Sequence, residues 1–219
     1  MFVRNRMTKD PVTVTENVPV LEAGEIMRRN GFSRLPVVRD GRLVGIVTEM
    51  DIMRVSPSPA TTLSVFEMNY LLSKLAVKDV MTKNPKTIAP EATLEEAAVL
   101  MRDYKIGALP VVENGRLVGI ITESDIFDAF ISLMGLREAS SRITLEIEDR
   151  VGVLAEITQL IKERGINIIT MATFTPAREG ERGQLVLRLD TQEPDPLVED
   201  FTARGFRVVH VARWKEKKG

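Results

Sequence analysis

The sequence predicts a chain of mixed α/β and α+β class, with a twice-repeated βαββα unit in its first part and a βαββαβ unit in its last part. The first observation is that the chain resembles itself after a shift of 74 residues. The second is that this repeat ends before residue 140, where a different alternation of apolar and polar segments begins. The composition is that of a chain with packed cores, since 44% of its 219 residues are hydrophobic and 28% are charged.

The repeat aligns Met7–Met53, the first copy, with Met81–Phe127, the second copy. No gap is needed, and 23 of the 47 aligned pairs are identical. Self-similarity of this extent indicates a duplicated unit, which decides the fold class of the segment. The three longest identical blocks are Met7–Lys9 with Met81–Lys83, Leu35–Val38 with Leu109–Val112, and Gly41–Ile46 with Gly115–Ile120.

Each copy predicts the order strand, helix, strand, strand, helix. Apolar residues at helical spacing end at Gly31, and the Asp40-Gly41 dipeptide is typical of a hairpin turn between two β-branched runs. Asn114-Gly115 repeats that turn. In the first copy the predicted elements are Val12–Val14, Val18–Asn30, Leu35–Val38, Arg42–Val47 and a helix that starts at Thr48. Between the copies we expect a linker at Ser56–Pro59 and then a helix from Leu63 to Leu75.

The last part of the chain predicts one ferredoxin-like βαββαβ unit. Its strand and helix patterns alternate as they do in that arrangement, with a polar turn at Pro176–Gly183. His210 lies in the last strand without a metal-binding neighbour, so we interpret it as a surface residue. The predicted elements are Arg142–Glu148, a helix from Val151 that Gly165 ends, Ile166–Thr175, Gln184–Asp190, Pro196–Ala203 and Phe206–Arg213. The expected domain ranges are 1–60, 61–137 and 138–219.

Composition excludes several classes of function. The chain has 30 Lys and Arg against 31 Asp and Glu, which disfavours a nonspecific nucleic-acid binder. It has no Cys and one His, so we expect no disulfide, no metal site and no thiol or Ser-His catalytic group. No apolar run reaches the roughly 18 residues of a membrane span, and the N-terminus lacks the core of a signal peptide. These features favour a soluble cytoplasmic protein without membrane contact.

The segments Thr48–Asp51 and Thr122–Asp125 lie where a strand passes into a helix, and they have two interpretations. A Thr followed three residues later by a carboxylate is a capping box, which satisfies unpaired backbone N–H groups. The same geometry presents a helix N-terminus to a phosphate and a carboxylate to the hydroxyls of a ribose. The spacing alone fits both.

Position 34 differs between the copies. Arg34 stands before the strand of the first copy, whereas Ala108 occupies that position in the second. An arginine can bind a phosphate through two N–H groups, although a lone arginine before a strand is also an ordinary surface residue. If these segments bind a phosphate, the first copy is the better site.

The repeated block L-P-V-V, the D/N-G turn, L-V-G-I-h-T and the closing Asp resemble the CBS domain, which occurs in tandem pairs called Bateman modules. The resemblance covers roughly residues 1–135. It implies an adenosyl ligand, such as AMP, ADP, ATP or S-adenosylmethionine, that regulates and is not a required cofactor. It also implies that the Thr of each box contacts a phosphate and that the Asp of each box contacts a ribose. The implied nucleotide-binding residues are Thr13, Arg34, Pro36, Thr48, Asp51, Thr87, Pro110, Thr122 and Asp125.

The segments Asp149–Leu154 and Gly165–Ile168 resemble the ACT domain, a sensor of small molecules that usually binds amino acids. We expect Asp149, Gly152 and Asn167 to converge at one end of the sheet, around a small hydrophobic or branched amino acid. Each also has a structural interpretation: Asp149 as a helix cap, Gly152 as a point of close packing, and Asn167 as a turn residue. The implied amino-acid-binding residues are Asp149, Val151, Gly152, Val153, Leu154, Asn167 and Ile168.

A CBS pair followed by an ACT domain resembles the acetoin-utilization B-type (AcuB-like) family. The resemblance implies a non-enzymatic, allosteric regulator that binds a nucleotide and an amino acid, forms a homodimer and signals to a metabolic enzyme. One alternative is a structural dimerisation scaffold with degenerate pockets. An enzyme is the other, but the sequence has no nucleophile–base pair, no G-x-x-x-x-G-K-[ST] and no G-x-G-x-x-G.

Overall fold

The computed structural model describes residues 1–55, 67, 70, 72–136, 140–148, 150–174 and 182–214. The chain divides into two compact units, Met1–Phe127 and Asp128–Gly219. The predicted linker Ser56–Pro59 lies outside the described residues, as do most of the predicted helix Leu63–Leu75 and of the predicted turn Pro176–Gly183.

The first unit contains the elements of both copies, after a 3₁₀ turn at Val3–Asn5. The helix, hairpin and helix predicted for each copy are all present. In chain order the elements are β1 (Thr8–Lys9), α1 (Val20–Asn30), β2 (Arg34–Arg39), β3 (Arg42–Thr48), α2 (Glu49–Val55), α3 (Val77–Val80), β4 (Thr82–Lys83), α4 (Leu94–Tyr104), β5 (Ala108–Glu113), β6 (Arg116–Thr122) and α5 (Glu123–Leu133). The end of α5 belongs to the second unit.

The two copies exchange their leading strands. β1 of the first copy pairs with β6 of the second, and β4 of the second copy pairs with β3 of the first, both antiparallel. The sheets therefore have the orders β1-β6-β5 and β2-β3-β4. Each sheet combines the hairpin of one copy with the leading strand of the other, so residues of both copies lie side by side in each sheet.

The leading strand is not where the sequence pattern predicts it. The predicted strand Val12–Val14 is wrong, because Val14 forms only one isolated parallel bridge, with Val37. The paired residues of β1 lie earlier in the chain. Asp10 has a left-handed φ of 45° and Pro11 has no N–H, so the ladder of β1 cannot continue into Val12.

The hairpins and helices follow from local sequence. Asp40 and Gly41 have φ values of 51° and 75°, as a two-residue type I′ turn requires. Helix α1 ends at Gly31, which is left-handed with φ 68° and closes the last turn. The core of the first copy comprises Val14, Ala23, Met27, Leu35, Val37 and Val47, and Val77 of α3 packs into it.

The second unit is a four-stranded antiparallel sheet in the order β10-β7-β9-β8 with two helices packed on one face. This confirms the predicted βαββαβ order. His210 is exposed on β10, as predicted. The core includes Ile143, Leu145, Ile157, Leu187 and Phe201. The elements are β7 (Ser140–Ile147), α6 (Val153–Glu163), β8 (Ile168–Phe174), β9 (Gly183–Leu189), α7 (Asp195–Ala203) and β10 (Arg207–Trp214).

The helices of the described residues are short. The longest, α1, α4, α5 and α6, have 11 residues each. In this part of the chain none is long and apolar enough to cross a membrane. The described ranges also contain no group of three or more His, Asp or Glu side chains arranged to hold a metal ion.

Candidate functional site

In each copy the hairpin places the residue that differs between the copies, Arg34 or Ala108, beside the Thr of the predicted capping box. Arg34 pairs with Thr48 across β2 and β3, and Ala108 pairs with Thr122 across β5 and β6. Because these pairs stand at the ends of the strands from which α2 and α5 begin, Arg34 lies at the N-terminus of α2. The copies thus differ in charge at equivalent points of the fold.

Both predicted boxes form capping boxes. The backbone N–H and the hydroxyl of Thr48 donate to Asp51 Oδ2 at 2.9 and 2.7 Å, and the Asp51 N–H donates to the Thr48 hydroxyl at 3.3 Å. Thr122 and Asp125 repeat these bonds at 2.8, 2.7 and 3.3 Å. The cap uses one oxygen of each carboxylate. Asp51 Oδ1 faces the solvent-exposed Arg54 at 3.8 Å, so capping leaves this oxygen available for a further bond.

A cavity of about 720 Å³ opens at the start of α2, and we call it the Thr48 pocket. Thr48, Asp51 and Arg34 line it together, as the nucleotide hypothesis requires. The opposite wall comes from the second copy and includes Thr82 and Ala108. The crossing of the leading strands explains why Thr82 is part of this wall.

Four cationic side chains line the Thr48 pocket, against the two carboxylates Glu49 and Asp51. They are Arg34, Arg54, Lys86 and Lys105. Lys86 Nζ lies 4.2 Å from the centre of the Tyr104 ring, a cation–π contact that holds it on the wall. The cations outnumber the carboxylates, so the cavity favours an anion of two or more charges.

An equivalent cavity of about 270 Å³ opens at the start of α5, and we call it the Thr122 pocket. Its charged side chains are Arg34 and Glu123. Where the Thr48 pocket has Lys86 and Lys105, this pocket has Val12 and Gly31 at the matching repeat positions. The two pockets are thus related by the repeat but differ strongly in charge.

Several predicted nucleotide-binding residues line neither pocket. Pro36, by contrast, does line the Thr122 pocket, although the residue as a whole is buried. The residues absent from both linings are Thr13, Thr87, Pro110 and Asp125. Of these, Pro110 is buried and Thr87 is exposed. Asp125 acts in the structure as the partner of Thr122 in its cap.

The sequence interpretation missed Arg54, Lys86 and Lys105. A signal was present, because each cation stands where the other copy has a neutral or acidic residue. Their partners in the repeat are Asp128, Val12 and Gly31. Comparing the copies for charge would have found all three, although not that they share a cavity with Asp51.

In the second unit a cavity of about 420 Å³ opens beside the start of α6. Three predicted residues line it: Gly152, Val153 and Leu154. Gly152 has a φ of 89°, which a residue with a side chain rarely adopts. Phe174 forms part of the opposite wall and is 58% exposed. We call this cavity the Gly152 pocket.

The expected convergence of Asp149, Gly152 and Asn167 is wrong for Asn167. Ile168, the next residue, pairs with Leu189, whereas the Gly152 pocket lies at the end of the sheet where Gly183 pairs with Ile147. These are opposite ends of the seven-residue strand β9, about 20 Å apart. β8 runs antiparallel to β9 and starts beside Leu189, at the end of the sheet far from the pocket. Neither Asn167 nor Ile168 therefore reaches the pocket.

A further predicted amino-acid contact, Val151, is also not at the pocket. Val151 is fully exposed and is not among the lining residues. Asp149 lies outside the described residues. Arg150 lines the pocket and forms two bonds to Glu156, of 2.8 and 2.6 Å. These hydrogen bonds lower the pKa of the Glu156 carboxyl and raise the pKa of Arg150.

Comparison with protein families identifies both units. The CBS-domain model matches residues 3–58 and 77–132, just over half of the chain. The ACT-domain model matches residues 141–206. Both capping boxes and the Thr48 pocket lie within the CBS matches, and the described lining of the Gly152 pocket lies within the ACT match.

Among curated proteins, the inosine-5′-monophosphate dehydrogenase of Korarchaeum cryptofilum is 39% identical over 151 residues. The match covers 68% of this chain and 27% of that protein, so the chain spans about a quarter of the length of this relative. A CBS domain-containing protein of Dictyostelium discoideum is 34% identical, with 61% of this chain and 94% of that protein covered.

Three solved structures share the fold of the CBS part. The structure named for the acetoin utilization protein AcuB of Vibrio cholerae is 31% identical, with a TM-score of 0.52 over 62% of this chain and 94% of that one. CBSX2 of Arabidopsis thaliana, solved with AMP, is 29% identical, with a TM-score of 0.51 over 61% and 98% of the two chains. The CBS pair of protein MJ0100, solved with 5′-methylthioadenosine and S-adenosyl-L-methionine, is 29% identical, with a TM-score of 0.50 over 60% and 97%.

Proposed function

The chain belongs to the CBS-domain family and carries an ACT domain, and from this premise we propose that it is a non-enzymatic cytoplasmic regulator that senses an adenine nucleotide in the Thr48 pocket. CBS and ACT domains are regulatory modules. The observation that carries the proposal is the cationic lining of this cavity around a capped aspartate. Its volume of about 720 Å³ lies within the range of small-molecule sites.

The roles of the residues in the Thr48 pocket follow from their chemistry. Asp51 accepts hydrogen bonds from two ribose hydroxyls through the oxygen that its cap leaves available. The N-terminus of α2 and the Arg34 guanidinium bind the α-phosphate. Arg54, Lys86 and Lys105 add charge for further phosphates. The structures of CBSX2 with AMP and of MJ0100 with two adenosyl compounds support the ligand class.

Isothermal titration calorimetry on the full chain tests this proposal. AMP, ADP and ATP should each bind saturably, with the affinity rising with the number of phosphates. Guanosine monophosphate and inorganic phosphate are the controls for the base and for charge alone. Absence of heat from all adenine nucleotides at millimolar concentration would refute nucleotide sensing and favour the scaffold alternative.

We propose that the Gly152 pocket binds a small hydrophobic or branched amino acid. Val153, Leu154 and Phe174 give it apolar walls. The start of α6 supplies backbone N–H groups for a carboxylate, and Arg150 is neutralised by Glu156. The ion pair with Glu156 already balances the charge of Arg150. The part of the pocket that would hold the ligand's side chain therefore favours an apolar group.

We also propose that the protein works as a homodimer and regulates a metabolic enzyme, with no nucleic-acid or membrane partner. The dimer is supported by exposed apolar residues on two helices that the repeat makes equivalent. Met53 on α2 is 66% exposed and Phe127 on α5 is 68% exposed. Phe130 and Leu133 extend the apolar face of α5. A face of this kind is typical of a surface that another subunit covers.

A further inference from the structure

We infer that Arg34 couples the two CBS pockets, because its single guanidinium serves both and cannot bind an anion in each at once. The inference rests on the proposed nucleotide binding and adds how one pocket regulates the other. A phosphorylated nucleotide in the Thr48 pocket draws Arg34 to itself and changes what the Thr122 pocket binds.

The position of Arg34 is the first step. It lines both the Thr48 pocket and the Thr122 pocket, although it belongs to the first copy. Its guanidinium lies against Gly107 of the second copy: a Cβ on Gly107 would be 2.9 Å from Arg34 Nη1 and 3.1 Å from Glu123 Oε2. The first copy has Ser33 at the position of Gly107. The missing side chain at Gly107 therefore makes the room that the guanidinium occupies.

The bonding of Arg34 is the second step. Its Nε and Nη2 both donate to the hydroxyl of the adjacent Ser33, each at 3.2 Å. It forms no ion pair with any residue that the structure describes. A guanidinium has five N–H donors, so most of them remain free for a ligand. Turning the guanidinium toward either pocket breaks no ion pair with a described residue, so the free-energy cost of the turn is small.

The third step concerns the charged side chains that line the Thr122 pocket once Arg34 has turned away from it. When a phosphate holds Arg34 in the Thr48 pocket, Glu123 is the one charged side chain left facing the Thr122 pocket, among the residues that line it. An unbalanced carboxylate attracts a cation and repels an anion. The first pocket thus takes a phosphorylated nucleoside, the second takes a sulfonium nucleoside, and each ligand raises the affinity for the other by the same factor.

Calorimetry on the full chain tests the coupling with S-adenosyl-L-methionine as the cationic probe, titrated without AMP and with saturating AMP. AMP should tighten binding of the probe about fivefold or more in the wild type. In Arg34→Ala, studied at an AMP concentration that saturates the variant, the ratio should fall to one. Arg42→Ala removes the same charge at the other end of the same hairpin and should retain the wild-type ratio.

Gly107→Ala supplies a second variant that keeps Arg34. The new Cβ displaces the guanidinium from the Thr122 pocket, so the probe should bind more tightly without AMP, and AMP should add little. Equal affinity with and without AMP in the wild type would overturn the inference, as would weaker binding with AMP or a ratio that survives in Arg34→Ala. Failure of the wild type to bind either ligand is a different result, because it refutes the proposed nucleotide binding itself.

Discussion

Met7 of the first copy lies against Gly119 of the second, so closely that a Cβ on Gly119 would be 2.6 Å from the Met7 sulfur. The same Cβ would be 3.0 Å from the carbonyl oxygen of Thr8. Met81 and Gly45 repeat the relationship in the other sheet. The glycine in each L-V-G-I block therefore admits the leading strand of the opposite copy, and each pocket includes a residue of that strand, Thr82 in the Thr48 pocket and Thr8 in the Thr122 pocket.

Gly119→Ala should destabilise the first unit by about 1–3 kcal/mol, the usual cost of overpacking. The methionine can move, but the backbone oxygen of Thr8 cannot without breaking the β1–β6 pairing. Denaturation in urea, followed by circular dichroism, measures the change. Gly24→Ala is the control, because its Cβ would meet Ile52 at 3.5 Å, an ordinary contact, and alanine favours a helix. A loss of stability in Gly24→Ala as large as that in Gly119→Ala would contradict the explanation.

Asp51→Ala should weaken AMP binding at least about tenfold, because two hydrogen bonds to a charged acceptor contribute ~1.5–3 kcal/mol each before water replaces them. Asp125→Ala should weaken it less. The two substitutions break capping boxes of the same geometry, so their losses of stability should match, at about 1 kcal/mol. Calorimetry and thermal denaturation on both variants separate binding from capping. Equal binding losses would remove the distinction between the pockets.

Local sequence was enough to predict three of the residues that the first copy supplies to the Thr48 pocket. Arg34, Thr48 and Asp51 belong to one hairpin and the helix after it, and the turn at Asp40-Gly41 fixes their register. The hairpins and the βαββαβ order were predictable for the same reason, because each depends on neighbours in the chain, and the repeat was found by comparing the sequence with itself.

Contacts between distant segments were not predictable. Lys86 lines the Thr48 pocket close behind β4, which crosses to the sheet of the first copy, whereas Lys105 lines it from the end of α4. No local pattern encodes that these two segments meet. Likewise, the motifs around Gly152 and Asn167 stand before and after α6 in the sequence, and β8 starts at the end of the sheet far from the Gly152 pocket, so Asn167 does not reach it. The sequence shows which residues carry the chemistry, whereas strand direction decides which of them meet.

The wild-type chain should have the mass of a dimer in light scattering across micromolar concentrations, and Met53→Glu combined with Phe127→Glu should give a monomer. Both residues are exposed apolar groups at equivalent positions, and a carboxylate at each would be buried without a partner in a dimer. Val99→Glu is the control. Val99 is 57% exposed, and its repeat partner Glu25 is already charged. A monomeric wild type would refute the dimer.

The ion pair between Arg164 and Asp200 should make the stability of the second unit depend on pH. Arg164 bonds to both carboxylate oxygens of Asp200, at 2.6 and 2.8 Å, and these hydrogen bonds hold the pKa of Asp200 below its usual range. A depressed pKa means that the stabilisation is present above the unfolded pKa of about 3.9 and is lost as the pH falls through the folded pKa.

Asp200→Asn should therefore lower the Tm at pH 7, and its difference from the wild type should shrink below about pH 4. Glu199→Gln removes the neighbouring exposed charge and should change the Tm little at either pH. Differential scanning calorimetry from pH 3 to pH 7 measures all three chains. A Tm difference for Asp200→Asn that stays constant over this range would show that the ion pair is not its cause.

A small hydrophobic or branched amino acid should raise the Tm of the full chain, and Phe174→Ala should reduce that shift. Phe174 forms an apolar wall of the Gly152 pocket and is largely exposed, so its truncation should weaken the ligand more than the fold. Val151→Ala is the matched control, because Val151 lies next to the pocket in sequence but is fully exposed and outside its lining. A thermal-shift screen of the twenty amino acids measures the effect. If Val151→Ala reduced the shift as much as Phe174→Ala, the ligand would bind elsewhere. If no amino acid stabilised the wild type, the ACT domain would serve as a dimerisation element instead.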